Sequence, residues 1–166
     1  MEKHIYITNG VARCGKDTFA KLLNEFVPTI KYSSIDKIKS IAKECGWNGG
    51  KNEKDRKFLS DLKCLTSEYS DLPFRDISRI VNDFRSAEAF KVLLIDMREP
   101  DEIARAKQEF GAETILIVNQ NIPHITSNMA DKNVYNYNYD WVIRNNGTIN
   151  DFRETVKKFA KDRKLI

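Results

Sequence analysis

The sequence predicts an α/β fold in which a mostly parallel sheet is covered by helices on both faces. Short apolar runs alternate with stretches of helical periodicity along the chain, and the clearest run is FKVLLID at residues 90–96. Apolar runs of this kind are typical of strands that are buried on both faces, as in parallel sheets. The alternation of strands with helices favours parallel crossover connections.

Length and composition exclude several other classes of protein. A chain of 166 residues with 41% hydrophobic residues is long enough for one well-packed domain and too apolar for a disordered chain. No run of 18 apolar residues is present, and the N-terminal stretch lacks the features of a signal peptide, so we expect a cytoplasmic protein without a membrane span. Three widely spaced cysteines and two histidines argue against a disulfide framework or a structural zinc site.

The first half of the chain is predicted to begin with a buried strand that ends in an Asn9-Gly10 turn. A helix then starts at Lys16, because apolar residues recur at helical spacing until Pro28 stops the pattern. The remaining predicted elements of this half are a strand at 29–33 and helices at 34–45, 53–69 and 75–89.

The second half repeats the alternation of strands and helices. Its predicted elements are strands at 90–96, 114–118 and 141–143 and helices at 100–110 and 149–161. The polar segment 119–139 is long for a loop in a compact domain, and such loops are often functional. The alternating tyrosines at its end, Tyr135, Tyr137 and Tyr139, favour a short edge strand over a stacking surface for a base.

The string GVARCGKDT at residues 10–18 matches the pattern G-x-x-x-x-G-K between a strand and a helix. Glycines allow the backbone to curl so that N–H groups point into one concavity, and the helix N-terminus adds partial positive charge there. Lys16 supplies a full charge for the phosphates of a nucleotide. Asp17 occupies the position where Ser or Thr usually binds magnesium, so it should face away from the phosphates or help to hold the metal. Thr18 is the expected hydroxyl near the metal or the α-phosphate, and we interpret Cys14 as a small filler of the loop.

This string resembles the phosphate loop of bacteriophage-type deoxynucleoside monophosphate kinases, a branch of the P-loop nucleoside monophosphate kinases. The resemblance implies a single three-layer α/β/α domain over 1–166 with a five-stranded sheet of order 2-3-1-4-5. It also implies that ATP and Mg2+ are the cofactors and that a phosphoryl group passes to a nucleoside monophosphate. The ATP-binding candidates in this loop are Gly10, Arg13, Cys14, Gly15, Lys16, Asp17 and Thr18.

A second group of candidates follows the strand at 90–96. Asp96 ends this strand, at the edge of the sheet where ligands bind, and a carboxylate there can orient magnesium through water. The guanidinium of Arg98 could hold a transferring phosphate through bidentate hydrogen bonds. The stretch from Asp96 to Glu102 resembles the family's Asp-x-Arg-x-Pro-x-Glu segment. Together with the resemblance of the loop at 10–18, this implies that Lys16, Asp96 and Arg98 are catalytic and that Thr18 and Asp96 are near the metal. A helix cap at Asp96 and a surface position for Arg98 are the alternatives.

Two further regions resemble those kinases. The turn RNNGT at 144–148 is similar to one that lies beside adenine, which implies that Asn146 and Gly147 bind ATP, although an ordinary helix-capping turn explains the same residues. The helical region at about 34–89 corresponds to the part that accepts the monophosphate. The acceptor-binding candidates there are Asp36, Lys39, Arg56 and Arg79, with a solvated basic face as the alternative.

One feature of the family is missing from this sequence. Kinases of this branch usually close a lid bearing arginines, yet the lid-like segment at about 119–139 contains no arginine and a single lysine, Lys132. The alternatives are therefore a kinase of another small phosphorylated acceptor, such as dephospho-coenzyme A, and a non-catalytic nucleotide-binding regulatory protein. The net charge of +4 is spread among acidic residues, which argues against a nucleic-acid binder. The sequence leaves the base, the sugar and the oligomeric state open.

Overall fold

Five strands form one sheet in the order β2-β3-β1-β4-β5 in a computed structural model that describes residues 2–122 and 133–166. β1 pairs in parallel with β3 and with β4, and β4 pairs in parallel with β5. The predicted fold class and strand order are confirmed. The strands are β1 His4–Asn9, β2 Thr29–Ser33, β3 Val92–Asp96, β4 Glu113–Val118 and β5 Trp141–Arg144.

The described residues contain six helices: α1 Lys16–Phe26, α2 Asp36–Glu44, α3 Glu53–Ser70, α4 Leu72–Ser86, α5 Pro100–Phe110 and α6 Ile149–Asp162. None of these is both long and apolar enough to cross a membrane. The start of α4 differs from the prediction, because the helix begins at Leu72 and not at residue 75. Pro73 lies in its first turn, where the missing N–H of proline is tolerated.

The chain divides into two compact units, which are described separately. The first comprises Met1–Tyr32 and Ala87–Ile166, and the second comprises Ser33–Ser86. In the second unit α2, α3 and α4 contact one another, and every residue of α3 keeps at least partial exposure. The buried apolar side chains of this unit's helices are Ile38 and Ala42 of α2 and Phe74, Ile77, Val81 and Phe84 of α4.

The first unit buries both faces of the sheet. Tyr6 of β1 lies in a cluster with Phe19 of α1 and Phe159 of α6, so these two helices cover one face. Ile5 and Ile7, its neighbours in β1, point to the opposite face because side chains alternate along a strand. Helix α5, which contacts β1 and β4, covers this opposite face.

Phe159 is the centre of the aromatic packing under the sheet. Its ring lies edge-on to Tyr6 at 5.4 Å and to Phe19 and Trp141 at 5.8 Å, measured between ring centroids. Replacing a buried aromatic ring with alanine removes apolar contacts and leaves a cavity.

We therefore expect Phe159→Ala to lower the free energy of unfolding by about 3–5 kcal/mol in urea denaturation followed by circular dichroism. Tyr69→Ala is the matched control, because this aromatic side chain is 89% exposed. Its effect should stay within about 0.5 kcal/mol. Equal effects of the two substitutions would contradict the packing described above.

Candidate functional site

The loop between β1 and α1 has the curled backbone that the glycine pattern predicts. Its φ angles are positive at Gly10 (152°), Arg13 (66°) and Gly15 (110°), and the N–H of Cys14 donates to the carbonyl of Val11 at 3.2 Å. Gly15 is the N-cap of α1 and provides no side chain to cap the helix. The first N–H groups of any helix have no acceptor within the helix, and in α1 no side chain of the N-cap residue accepts from them. A helix start of this kind can bind an anion.

Neighbouring atoms fill the space beside both loop glycines. A Cβ added at Gly10 would lie 2.5 Å from the sulfur of Cys14 and 2.5 Å from the carbonyl oxygen of Ile117. A Cβ added at Gly15 would lie 2.5 Å from Nδ2 of Asn145. The glycines of the motif are thus required both by the backbone angle and by the close approach of the chain.

Lys16 holds its ammonium over this loop. Its Nζ donates to the carbonyl oxygens of Gly10 at 2.6 Å and Val11 at 3.1 Å. Because helix N–H groups and a lysine charge meet at one loop, the residues present fit the phosphate groups of a nucleotide.

Cys14 is fully buried inside the loop. Burial is the main cause that raises the pKa of its thiol, and it outweighs the nearby charge of Lys16, which acts in the opposite direction. The charges of Asp96 and Arg98 also act on this thiol, so the two predicted groups of catalytic candidates lie near each other. The burial and the raised pKa agree with the interpretation of Cys14 as a filler of the loop.

Asp96 is held at the carboxyl edge of the sheet by two neighbouring strands. It lies opposite Thr8 in the register of β1 and β3, and the hydroxyl of Thr8 donates to its Oδ1. The ammonium of Lys31, from β2, lies 2.7 Å from its Oδ2. The alternative of Asp96 as a helix cap is wrong, because the N-cap of α5 is Glu99.

Asp17 forms an ion pair with Lys31, a residue that the sequence analysis did not select. The hydrogen bond from Lys31 is the main cause that lowers the pKa of Asp17. Lys31 therefore contacts both carboxylates of the site, Asp17 and Asp96. Its sequence signal was weak: one lysine within a strand, together with an acid at the position where Ser or Thr is usual.

Asn9 is a second residue that the sequence analysis did not select. It is fully buried, and its Oδ1 accepts a hydrogen bond from the N–H of Gly10 at 2.8 Å. Its Nδ2 lies 3.2 Å from the carbonyl oxygen of Arg98, to which it donates, and 2.8 Å from the hydroxyl of Tyr139. Asn9 thus ties the phosphate loop to the backbone at Arg98.

The tyrosines before β5 do not form the predicted edge strand. Residues 133–140 adopt turns and bends, and Tyr139 donates its hydroxyl hydrogen to the carbonyl of Val134 at 2.7 Å. Burial, the largest cause, raises the pKa of Tyr139 to about 12, so this side chain is a neutral phenol at physiological pH. Val134 lies five residues before Tyr139, and an extended strand would hold the two too far apart for this hydrogen bond. Residues 123–132 of the lid-like segment, which include Lys132, lie outside the described residues.

The turn before α6 contacts the phosphate loop through a residue next to the predicted ones. Nδ2 of Asn145 donates to the carbonyl of Cys14 at 3.0 Å. Asn146 exchanges hydrogen bonds with Gln120, since its Oδ1 accepts from the backbone N–H and its Nδ2 donates to the side-chain oxygen, both at 2.9 Å. Thr148 forms a capping box with Asp151, so the helix-capping interpretation holds for Thr148.

The acceptor-binding candidates belong to the second unit. Asp36 and Lys39 lie on α2, and Oδ2 of Asp36 accepts a hydrogen bond from the N–H of Ser33 at 2.9 Å. Arg56 is exposed on α3. Arg79 of α4 forms ion pairs on its own helix, with Asp76 at 3.0 Å and with Asp83 at 2.9 Å.

Comparison with known proteins supports the fold. No family model and no curated protein sequence matches this chain. Similar solved structures include thymidylate kinase from Candida albicans, with 12% identity, coverage of 98% of this chain and 93% of that one, and a TM-score of 0.52. A sugar kinase from Janibacter sp. HTCC2649 has 9% identity, coverage of 97% and 95%, and a TM-score of 0.52. Shikimate kinase from Aquifex aeolicus has 11% identity, coverage of 97% and 98%, and a TM-score of 0.50. The chain shares the fold of these kinases over nearly its whole length.

The burial of Cys14 leads to a prediction on thiol reactivity. A buried thiol with a raised pKa has little thiolate at pH 8. Two double variants each keep a single cysteine for comparison: Cys45→Ser/Cys64→Ser keeps Cys14, and Cys14→Ser/Cys64→Ser keeps the exposed Cys45. Cys14 should react with DTNB about 100-fold more slowly than Cys45. In urea the two rates should become similar. A fast reaction of Cys14 in the folded protein would instead indicate an accessible, reactive thiol.

The close approach at Gly15 leads to a prediction on stability. Gly15→Ala should lower the free energy of unfolding by about 1–3 kcal/mol more than Gly111→Ala does. Both glycines have positive φ angles, but an added Cβ at Gly111 has no atom within 4 Å, and its φ of 64° lies in the left-handed region, whereas φ at Gly15 is 110°. The difference between the two variants therefore measures the clash with Asn145 together with the greater backbone strain at Gly15. Urea denaturation measures both variants, and equal losses would show that the clash is relieved without energetic consequence.

Proposed function

We propose that this protein is a kinase that transfers a phosphoryl group from ATP to a (deoxy)nucleoside monophosphate. The observation that carries the proposal is the arrangement at the carboxyl edge of the sheet. A curled glycine loop with the ammonium of Lys16 over it lies in the same unit as Asp96, a carboxylate that Thr8 and Lys31 hold in place. The resemblance of the motifs to bacteriophage-type deoxynucleoside monophosphate kinases supports the choice of acceptor.

In this proposal the loop binds the phosphates of ATP. Backbone N–H groups at the start of α1 and the ammonium of Lys16 donate to the phosphate oxygens, and the turn before α6 lies beside adenine. Because the side-chain amide of Asn146 is paired with Gln120, backbone groups of the turn would contact the base. The residues proposed for ATP are Gly10, Arg13, Cys14, Gly15, Lys16, Asp17, Thr18, Asn146 and Gly147.

Thr18 and Asp96 are the residues proposed to hold Mg2+, directly or through water. Among the residues that the structure describes, no group of three or more His, Cys, Asp or Glu side chains could hold a metal. Most ligands of the ion would therefore come from water and phosphate oxygens, as Mg2+ prefers in nucleotide enzymes. When bound, Mg2+ neutralises charge that develops on the phosphates.

The reaction requires positioning and charge neutralisation more than covalent chemistry by the protein. A phosphate oxygen of the acceptor forms a bond to the γ-phosphorus, while the bond to the bridging oxygen breaks and ADP leaves. Lys16 stabilises the negative charge on the β- and γ-phosphates, and Arg98 holds the group in transfer. The residues proposed to bind the acceptor monophosphate are Asp36, Lys39, Arg56 and Arg79 of the second unit.

The same site suits a second candidate function. The fold is shared with a sugar kinase and a shikimate kinase, so proteins of this architecture act on acceptors of different chemistry. A kinase of another small phosphorylated molecule, such as dephospho-coenzyme A, is the alternative. A non-catalytic nucleotide-binding regulator is favoured by the lack of arginine in the lid-like segment and by the acid Asp17 after the loop lysine.

A coupled assay of ADP release tests the proposal. The acceptors are the ribo- and deoxyribonucleoside monophosphates, dephospho-coenzyme A and shikimate, each with ATP and Mg2+. We expect turnover with at least one nucleoside monophosphate and a lower kcat in Arg98→Ala. Turnover with dephospho-coenzyme A alone would support the second candidate. ATP binding without turnover on any acceptor, unchanged by Arg98→Ala, would support the regulator.

The role proposed for Lys16 leads to a specific prediction. Lys16→Met should lower kcat/KM by about 100-fold or more, because it removes the charge that stabilises the transferring phosphate. Lys158→Met on α6 removes an exposed lysine of the same unit and should leave kcat/KM within about twofold, as expected for a surface substitution. A Lys16→Met enzyme with normal turnover would exclude the loop as the phosphate site.

A further inference from the structure

Lys31 joins three separate elements at the carboxyl edge of the sheet. Its side chain, from β2, is 25% exposed, and its ammonium lies 2.7 Å from Oδ2 of Asp96 at the end of β3. The same ammonium pairs with Asp17 in the first turn of α1. The Asp96 side chain is 17% exposed and that of Asp17 is 85% exposed, so solvent weakens the pair with Asp17 more than the pair with Asp96.

The ammonium of Lys31 forms an ion pair with each of the two carboxylates. Burial alone would lower the pKa of Lys31, but its hydrogen bonds with Asp17 and Asp96 outweigh burial and raise it. The hydrogen bond from Lys31 lowers the pKa of Asp17. One positive charge therefore lies between two carboxylates, and both carboxylates are next to the loop that we assign to nucleotide phosphates.

Two carboxylates beside a phosphate group repel it unless a cation lies among them. A divalent ion usually supplies that cation in nucleotide enzymes. Here a side chain of the protein already occupies the position between the two acids. In addition, Asp17 replaces the neutral Ser or Thr that is usual after the loop lysine, so this chain carries one more negative charge at the site and needs one more positive charge.

We propose that Lys31 is a positioning residue whose ammonium acts as a built-in cation, offsetting part of the negative charge of Asp17 and Asp96 so that nucleotide phosphates bind beside them even without a divalent ion. The inference rests on the proposed function, since it takes a nucleotide as the ligand of the loop. It assigns a role to a residue outside the glycine motif and explains why an acid is tolerated at position 17.

Isothermal titration calorimetry tests this inference by measuring the affinity of the full chain for ADP, once in EDTA and once in Mg2+. Lys31→Met should lower the affinity for ADP in EDTA by about tenfold or more, because both carboxylates then repel the phosphates. In Mg2+ the loss should stay within about threefold, since the divalent ion replaces the missing charge. Lys31→Arg keeps the positive charge and should bind ADP like the wild type in both conditions.

A matched control removes a lysine from the same surface. Lys21 lines the same open depression of about 360 Å3 as Asp17 and Lys31, and its side chain is exposed. Lys21→Met should therefore change the affinity for ADP by less than about threefold, because solvent screens an exposed charge.

Asp17→Ser, added to Lys31→Met, should restore affinity in EDTA by removing the extra negative charge.

A third variant keeps the test decisive if Lys31→Met does not fold. Asp17 is exposed, so Asp17→Ser should fold normally, and it leaves Lys31 with one carboxylate instead of two. We expect this variant to bind ADP more tightly than the wild type in EDTA, by about threefold or more.

The outcomes separate this inference from the proposed function. If the wild type binds no nucleotide, both fail. If the wild type binds ADP and Lys31→Met matches it in EDTA, the inference alone is overturned. An equal loss of affinity in EDTA and in Mg2+ that Asp17→Ser does not relieve would also overturn it, because Lys31 would then only support the local structure. If Lys31→Met does not fold, an unchanged affinity in Asp17→Ser overturns the inference.

Discussion

The parallel pairing of β1 with β3 is the constraint on which the site depends. Its register sets Thr8 opposite Asp96, and the hydroxyl of Thr8 donates to the Asp96 carboxylate. Both strands end at the same edge of the sheet, so the loop after β1 and the segment after β3 start side by side. A shift of one residue would turn Asp96 to the other face of the sheet and separate it from the loop.

Two side-chain amides then join the segments that leave this edge, that of the buried Asn9 and that of the half-buried Asn145. Asn9 connects the start of the phosphate loop to the backbone of Arg98 and to Tyr139. Asn145 connects the loop to the turn before α6 through the carbonyl of Cys14. Hydrogen bonds among buried polar groups hold their partners firmly, because breaking one leaves a polar group unsatisfied in the interior. These hydrogen bonds thus hold the loop in a defined shape.

Electrostatic balance is the other property of this edge. Lysines 16 and 31 lie with Asp17 and Asp96 around one loop, and each lysine has protein partners of its own. The arrangement concentrates charge where an anionic ligand would bind, while the chain as a whole carries a net charge of only +4. The net charge of the whole chain is therefore less informative about the ligand than the local pairing of charges at this edge.

The parts of this protein that depend on local patterns could be predicted from the sequence. Apolar runs and helical periodicity located the strands and most helix bounds, and the spacing of Gly10, Gly15 and Lys16 predicted the curled loop before α1, because a curled backbone before a helix requires those residue types at that spacing. Which distant residues meet around this loop could be read only from the three-dimensional structure. Asn9 and Arg98 are 89 positions apart, and Asn145 and Cys14 are 131 apart. Contacts at such separations arise from strand order and register, which bring distant positions together without leaving a pattern in the sequence around them.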